Sequence, residues 1–377
     1  MIADAGRRGY EALLDAFWDE CRDHQVPLPT QDPVSASAFC QARKKIAPEF
    51  VRSLLHQVAD GFDTMHGHAF RWRGHRVFAA DASWVSTQRS DELWDALGGP
   101  KIGNCPQMLL STLYDVIGGV VHDLTVAPAH GSERRELLRM LPRLRPGDVL
   151  LLDAGYPSFL LLRELKRRSI HFVIRMRTSQ TFQKVESFVQ SGKTDEIITI
   201  TPHRRLPRGL DPVTVRLVNR ARPDNEPFVL MTDLLDAKQT PEDLDQLYHL
   251  RWLVEELYKV EKGDYLGQRQ FHAKSLDGVK QEAYAFGLFI ALSRLFMASA
   301  SDEAEVDPSE LSQKRAILAV AAYLTRLLLL KDRAKLERIV GRLLERIARN
   351  TDPPRPGRSY PRRSFRPRPR WHAGGKK

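Results

Sequence analysis

Two short apolar runs that each end in an aspartate constrain the fold of this chain most. Residues 77–80 (Val-Phe-Ala-Ala) precede Asp81, and residues 149–152 (Val-Leu-Leu-Leu) precede Asp153. Runs of this length and composition are typical of buried β-strands. A carboxylate on a core strand is unfavourable unless a cation or hydrogen bonds compensate its charge. Two such positions therefore indicate a core sheet that carries a polar site.

The order of the elements around these runs predicts an α/β domain. Residues 108–117 and 120–127 are apolar and flank Gly118-Gly119, which is a hairpin signal. Helical patterns follow at 132–141 and 158–168, and a further strand is predicted at 171–176. The order β-β-β-α-β-α-β indicates a mixed sheet.

The segment 177–227 has a different texture, with pieces rich in threonine, arginine and proline. It shows strand-like runs at 197–200 and 213–218 and no useful helical period, so we predict a mostly β insertion. Residues 228–232 then return to a core strand.

Strong start and stop signals predict the next helix. Thr240 is a favourable N-cap, Pro241 occupies the first helical position, and Asp243 is an acid at the third. Gly263 is a typical C-terminal signal, so the helix is expected to run to about Lys262.

One face of this predicted helix is polar. At about 100° per residue, Tyr248, Arg251, Glu255 and Lys262 fall within a stripe of roughly 60°. The aliphatic residues at 250, 253, 254, 257 and 260 fall on the opposite side. A solvated face with ion pairs is the usual explanation for such a stripe.

Because of the two aspartates, we favour a different hypothesis, in which Asp81, Asp153 and Glu255 share a bound cation. Three carboxylates suit Mg²⁺, which prefers oxygen ligands. Two such ions about 4 Å apart can activate a water or a 3′ hydroxyl and stabilise the leaving oxygen of a phosphodiester. Arg251 and Lys262 beside the acids would hold phosphates.

At this point the sequence resembles a known family. Tyr248, Arg251, Glu255 and Lys262, separated by two, three and six residues, match the signature of IS4-family DDE transposases at all four positions. The sequence Asp-Ala-Gly-Tyr from Asp153 resembles the motif of the second family aspartate, and the residues around Asp81 resemble the first. The resemblance covers about residues 35–300.

The resemblance implies an RNase H-like fold with a β-rich insertion between the second and third acids. It implies that Asp81, Asp153 and Glu255 bind two catalytic ions, either Mg²⁺ or Mn²⁺ in its place. Arg251 and Lys262 would grip terminal DNA phosphates, and Tyr248 would contact DNA near the cleaved end.

Some relatives stack a flipped base on a tryptophan of the insertion during hairpin formation. The insertion of this chain has no tryptophan, and only Phe182 and Phe188 could substitute. The sequence therefore does not decide whether the reaction passes through a DNA hairpin intermediate.

Composition and charge favour a nucleic-acid partner. The formal charge is +11, but residues 349–377 alone hold ten basic side chains and one acid. Proline is frequent in this tail and aliphatic residues are nearly absent, so we predict a disordered basic arm. It would serve as a phosphate-binding arm or simply as a solubilising tail.

We predict four regions. Residues 1–70 form an N-terminal helical module, in which Arg43, Lys44 and Lys45 contact DNA or form a solvated face. Residues 71–300 form the catalytic domain, with the insertion at about 177–227. Residues 301–348 form C-terminal helices, ahead of the tail at 349–377.

Three cysteines without a CxxC pair fit a reducing cytoplasm. No membrane contact is expected, because the most apolar stretch, 283–300, is interrupted by Arg294 and small polar residues.

These features together predict a cut-and-paste transposase of an insertion sequence, associated with the nucleoid. Its partners would be double-stranded DNA, as terminal inverted repeats and as target, and a second copy in a synaptic dimer. Two alternatives stay open: a domesticated DNA-binding protein without activity, and a metal-dependent nuclease that does not transfer strands.

Overall fold

The computed structural model of the chain describes residues 9–28, 30–100, 104–179, 182–221, 227–259 and 271–352. Lys262 and residues 353–377, which make up most of the basic tail, lie outside the described residues. Within the described ranges the strands are β1 (Val77–Ser86), β2 (Gln107–Asp115), β3 (Val120–Pro128), β4 (Val149–Leu152), β5 (His171–Met176), β6 (Asp195–Ile200), β7 (Val213–Ala221) and β8 (Pro227–Thr232). The α-helices of the same ranges are α1 (Tyr10–Asp23), α2 (Ala36–Arg43), α3 (Pro48–Met65), α4 (Asp91–Leu97), α5 (Glu133–Met140), α6 (Phe159–Arg167), α7 (Gln183–Gln190), α8 (Pro241–His249), α9 (Trp252–Lys259), α10 (Leu276–Ala304), α11 (Gln313–Leu329) and α12 (Arg333–Ala348).

The strands form one mixed sheet in the order β3-β2-β1-β4-β5-β8-β7-β6. β1, β2 and β3 are paired antiparallel, β4 and β5 run parallel to β1, and β8 returns antiparallel beside β5. A parallel neighbour requires a crossover, which α5 provides between β3 and β4. The predicted α/β class with a mixed sheet is confirmed.

Both faces of the sheet are covered, as the alternation of side chains along β1 shows. Val77 and Ala79 belong to a core shared with α3, α10 and the C-terminal helices. Phe78 and Ala80 belong to a second core, shared with α5, α6 and α7. Successive residues of a strand point to opposite faces, so this parity assigns every later residue of β1 to one side.

β1 extends beyond its predicted end. The apolar run ends at Ala80, but the strand continues to Ser86, because residues 81–86 stay paired with β2. Asp81 therefore lies inside the strand and faces Thr112 of β2, whereas Asp153 directly follows β4 as predicted.

The segment 177–227 contains α7, β6 and β7. β7 pairs with β8 and β6 pairs with β7, so these strands widen the core sheet. The helix α7 was not predicted because its eight residues are too few for a helical period to stand out, although Val185 and Phe188 are buried.

The prediction of one continuous helix from Thr240 to Lys262 is wrong, because the chain forms two helices, α8 and α9, in this region. The capping box at its start is present, with the Thr240 side chain and Asp243 capping each other's backbone. The helix then divides at residues 250 and 251, where the amides bond to the carbonyl three residues earlier instead of four. α8 packs against β5 and β7, and α9 packs against β1. A tight turn lets each half follow a different part of the twisted sheet.

The N-terminal helices are held to the rest of the chain through Arg43. Its guanidinium donates to Tyr10 Oη (2.8 Å), Glu282 Oε1 (3.1 Å) and Gln281 Oε1 (3.1 Å). Arg43 is therefore an internal contact, whereas Lys44 is exposed beside it. Whether residues 1–70 act as a separate module stays a prediction, since their third helix packs on α10.

α10 is the one helix of the described residues that is long and apolar enough to cross a membrane. This differs from the expectation that the stretch is too interrupted. Of its most apolar window, 61% is buried inside the protein. Arg294 donates to the carbonyl of Gly118 (2.9 Å), and the helix packs on α3 and β3, as a core helix does.

Candidate active site

Asp81 and Asp153 lie side by side at one level of the sheet. β1 and β4 are parallel, and Ala79 is in register with Leu151. Two residues further along the chain are Asp81, inside β1, and Asp153, directly after β4. Neighbouring strands are about 4.8 Å apart, so the two backbones are adjacent at this level. By parity with Ala79, Asp81 faces the α10 side of the sheet, whereas Asp153 follows the last residue of β4 at the same level.

α9 brings the third predicted acid to the same face. Val254 and Leu257 are buried in the α10-side core, and the Tyr258 hydroxyl donates to the backbone carbonyl of Asp81 (2.8 Å). Glu255, on the same helix, is half-buried at 31% side-chain exposure. Asp153 and Glu255 are both near enough to Asp81 for their charges to act on it, but the ligand atoms of these three acids do not all lie within 4.8 Å of one another. Leu253, predicted on the buried side of the helix, is instead exposed.

The pKa of Asp81 reflects the neighbouring carboxylates. The pKa of Asp81 is raised to about 6, mainly by burial and also by the charges of Asp153 and Glu255, against the lowering effects of the Ala82 amide and of Arg251. Like charges that share a site disfavour ionisation, whereas a cation favours it. The site therefore favours a positive partner.

Arg251 is the cation that the described residues place among these acids. Its Nη2 atom lies 2.6 Å from Glu255 Oε1, and its guanidinium lies 5.9 Å from the centre of the Tyr248 ring. Tyr248 is buried at 7% exposure against Phe228, and burial raises the pKa of its hydroxyl to about 12. The predicted DNA-contacting residues Tyr248 and Arg251 therefore border the acids. Lys262 lies outside the described residues.

The turn after β4 holds the Asp153 side chain by its own backbone. The amide of Gly155 donates to Asp153 Oδ1 (2.8 Å), and a Cβ atom at position 155 would lie 3.1 Å from that oxygen. Glycine therefore permits the close approach. The Arg134 guanidinium donates twice to the Gly155 carbonyl (3.0 and 2.7 Å), which fixes the turn to the start of α5.

Two residues near the acids were not found by sequence reasoning. Glu133, in the first turn of α5, has its pKa raised by burial and by the charge of Asp153, so it is a fourth carboxylate at the site. Acids are common in the first turn of a helix because they interact favourably with the helix dipole, so Glu133 did not stand out in the sequence as a site residue. Tyr258, which holds α9 to β1, looked like an ordinary helix residue.

A basic groove lies beside the turn that follows Asp153, on the side of the insertion. It has a volume of about 850 Å³, and its floor includes Ala154, Gly155 and Ser158, which follow Asp153 in the chain. Five cations line it: Arg134, Arg177, Lys184, Arg204 and Arg205. The described lining contains no acid, so the groove suits an anionic ligand. Phe182 is at the groove and Phe188 is buried, which leaves Phe182 as the available ring.

A second group of possible ligands lies elsewhere, at Asp63, Asp115 and His122. Among the described residues these three alone have ligand atoms all within 4.8 Å of one another, and both His122 ring nitrogens lack a hydrogen-bond partner. Burial and nearby arginines hold the His122 pKa well below its usual value. The Arg76 guanidinium already binds Asp63, together with Asp148 (2.8 Å). We interpret this group as a structural network, because the Arg76 guanidinium links Asp63 to Asp148 in the interior.

Comparison with known proteins identifies the family of this arrangement. The family model of the transposase DDE domain matches residues 72–293, more than half of the chain. The chain therefore belongs to the transposase DDE domain family. Members of this family use divalent metal ions.

No curated protein matches the sequence. Among solved structures, the chain is similar to the piggyBac transposase in a synaptic complex with hairpin DNA, with 10% identity and a TM-score of 0.46. The similarity covers 88% of this chain and 81% of that one. At this level it carries no inference about function.

Proposed function

We propose that this chain is an IS4-type DNA transposase that cleaves transposon ends and transfers the freed 3′ hydroxyl to target DNA. The observation that supports the proposal is the register of β1 and β4, which sets Asp81 and Asp153 at one level of the sheet, together with the charge of Glu255 on α9, which acts on Asp81. Membership of the DDE family supports the same reaction class.

The donor set fits a pair of hard divalent ions. Asp81, Asp153 and Glu255 offer carboxylate oxygens, which Mg²⁺ prefers and Mn²⁺ also accepts. When bound, such ions supply an activated water or hydroxyl and stabilise the leaving oxygen of the phosphodiester. Glu133 lies close enough to Asp153 to adjust the charge of the site.

The protein side of the reaction is positioning. The sheet holds two carboxylates in fixed register, and the Tyr258 hydroxyl holds α9 against β1. Arg251, paired with Glu255, is placed to bind a phosphate next to the acids, and Tyr248 supports its guanidinium. Lys262 would add a second phosphate contact. The basic groove beside Asp153 offers a path for the DNA backbone.

Cut-and-paste transposition works on two transposon ends at once. The proposal therefore includes a synaptic dimer on terminal inverted repeats, acting in the nucleoid. The product separates this proposal from the alternatives. A nuclease would leave cleaved ends without joined product, and a domesticated DNA-binding protein would leave the DNA intact.

Asp153→Ala tests the assignment of the acids. Removing one carboxylate removes an ion ligand, so we expect metal-dependent end cleavage to fall at least about a thousandfold while end binding stays within a few-fold. Labelled end duplexes with Mg²⁺ or Mn²⁺ measure cleavage and joining, and gel shift in EDTA measures binding.

The matched control is Glu303→Ala, which removes an exposed acid of α10. It should leave cleavage unchanged. Full cleavage by the Asp153→Ala variant would refute the metal assignment, and cleavage without joined product under either ion would favour the nuclease.

A further inference from the structure

The exposed face of α12 carries an unbroken row of cations. Lys335, Arg338, Arg342, Arg346 and Arg349 follow one another at spacings of three or four residues and are all exposed. At about 100° and 1.5 Å per residue they occupy a stripe roughly 80° wide and about 21 Å long. We call these five residues the α12 stripe.

The fold fixes this face outward. Leu343, Leu344 and Ile347 of α12 are buried, and the helix packs on α10 and α11. The Asp332 side chain caps the first turn by accepting from the Lys335 amide (2.8 Å). The stripe is therefore held on a rigid helix.

Little within the described chain neutralises the stripe. Glu345 is the acid beside it and lies 3.4 Å from Arg349. Lys335, Arg338 and Arg342 form no ion pair with any described residue. Like charges at these helical spacings destabilise a helix, so the row is unfavourable for the isolated protein. An arrangement of this kind is explained by an anionic partner.

We infer that the α12 stripe binds the phosphate backbone of double-stranded DNA without regard to sequence, apart from the acids. A straight row of cations fits a linear array of phosphates. Nine further basic residues follow in the sequence between 355 and 377, with no acid among them. An anionic membrane suits the stripe less well, because the apolar side of α12 is already buried and cannot insert.

This inference rests on the proposed function only in taking DNA as the partner. The test is the salt dependence of binding to a duplex of arbitrary sequence in EDTA, where no cleavage occurs. Each phosphate contact contributes about 0.9 to the slope of log affinity against log salt. The full-length variant Lys335→Gln/Arg338→Gln/Arg342→Gln should therefore lose about 2 to 3 of this slope and about tenfold in affinity near 0.1 M salt.

The matched control removes the same charge outside the stripe, with Arg333 on the opposite side of α12. Arg167, Lys193 and Arg333 are exposed and each is paired with an acid, Glu164, Glu196 and Glu337 respectively. Their triple glutamine variant should change the affinity less than about twofold, because these cations are already paired. The single variant Arg342→Gln, which should lower the slope by about 0.9, serves if the triple variant unfolds.

Equal slopes for the stripe variant and the control would overturn the inference. So would stripe-dependent binding to anionic phospholipid vesicles with no change toward DNA. Cleavage of transposon ends, measured in parallel with Mg²⁺, separates the two proposals. A stripe effect without any cleavage would remove the proposed function and keep this inference, and normal cleavage with no stripe effect would do the reverse.

Discussion

Asp81 is held more firmly than a loop carboxylate could be. It lies inside the ten-residue strand β1, which pairs with β2 along its length and with β4 just before Asp81. The Tyr258 hydroxyl binds its carbonyl from the side of α9. Rigid elements position reacting groups better than loops do. Glu255, on a short helix, is the acid of the three with the most freedom to adjust.

Asp115 gives a pH-dependent prediction at the residue scale. Its carboxylate is buried and accepts from the amides of Ile117 and Gly118 (3.0 and 2.8 Å). Burial raises its pKa to about 7 from an ordinary 3.8, and the charge of Asp63 raises it too. Below the ordinary value both folded and unfolded chains are protonated. Between the two values the unfolded chain binds fewer protons, so this group lowers stability as pH rises.

Asp115→Asn removes that titration and keeps the oxygen acceptor. We expect little change in the free energy of unfolding near about pH 4 and a gain of up to about 4 kcal/mol near about pH 8. Urea unfolding at the two pH values measures it. Glu303→Gln, an exposed control, should give no difference. A loss of stability at the higher pH would contradict the direction.

At the scale of elements, α10 depends on a glycine where it crosses the sheet. A Cβ atom at Gly287 would lie 2.6 Å from Leu124 Cδ1 and 3.1 Å from Leu55 Cδ2, and both leucines are fully buried. Gly287→Ala should therefore destabilise the protein by about 1–2 kcal/mol, because overpacking exceeds the gain in helix propensity. Thermal unfolding in EDTA measures the change.

Gly341 in α12 is the matched control. A Cβ atom there would meet nothing within 4 Å. Gly341→Ala should therefore stabilise the protein by about 0.5–1 kcal/mol, from helix propensity alone. If both alanine variants stabilised the protein equally, the tight packing of α10 on β3 and α3 would be refuted.

Local signals predicted most of the core and of the site. The runs before Asp81 and Asp153, the hairpin glycines and the capping box at Thr240 are all encoded within a few residues. The features that were not predicted depend on contacts between residues that are far apart in the sequence. The division between α8 and α9 has no glycine or proline to mark it, and it follows from packing on different strands. Glu133 comes near Asp153 only because α5 packs across β1, β2 and β3.

At the scale of the whole molecule, the insertion and the core share one sheet. β8 pairs with β5 of the core and with β7, and β7 pairs with β6. Val215 and Leu217 of β7 lie in the same buried cluster as Leu150 and Phe172. A continuous sheet with a common core unfolds as one cooperative unit.

Hydrogen exchange can test this unity. The amides of β7 should exchange through the same global opening as those of β1, within about 1 kcal/mol, because both strands are paired on two sides. The helix α1, near one end of the described chain, should open more easily and serves as the internal comparison. If β7 exchanged at a free energy several kcal/mol below β1, the insertion would be a separate folding unit.

The turn between α8 and α9 also limits how the chain can change in length. One extra residue at 250–251 would rotate α9 by about 100° and advance it about 1.5 Å relative to α8. Tyr248 would stay against Phe228, but either Glu255 would leave the aspartates or Tyr258 would leave the Asp81 carbonyl. Insertions and deletions should therefore be as poorly tolerated at this joint as replacement of an acid, although neither residue in the joint is itself an acid.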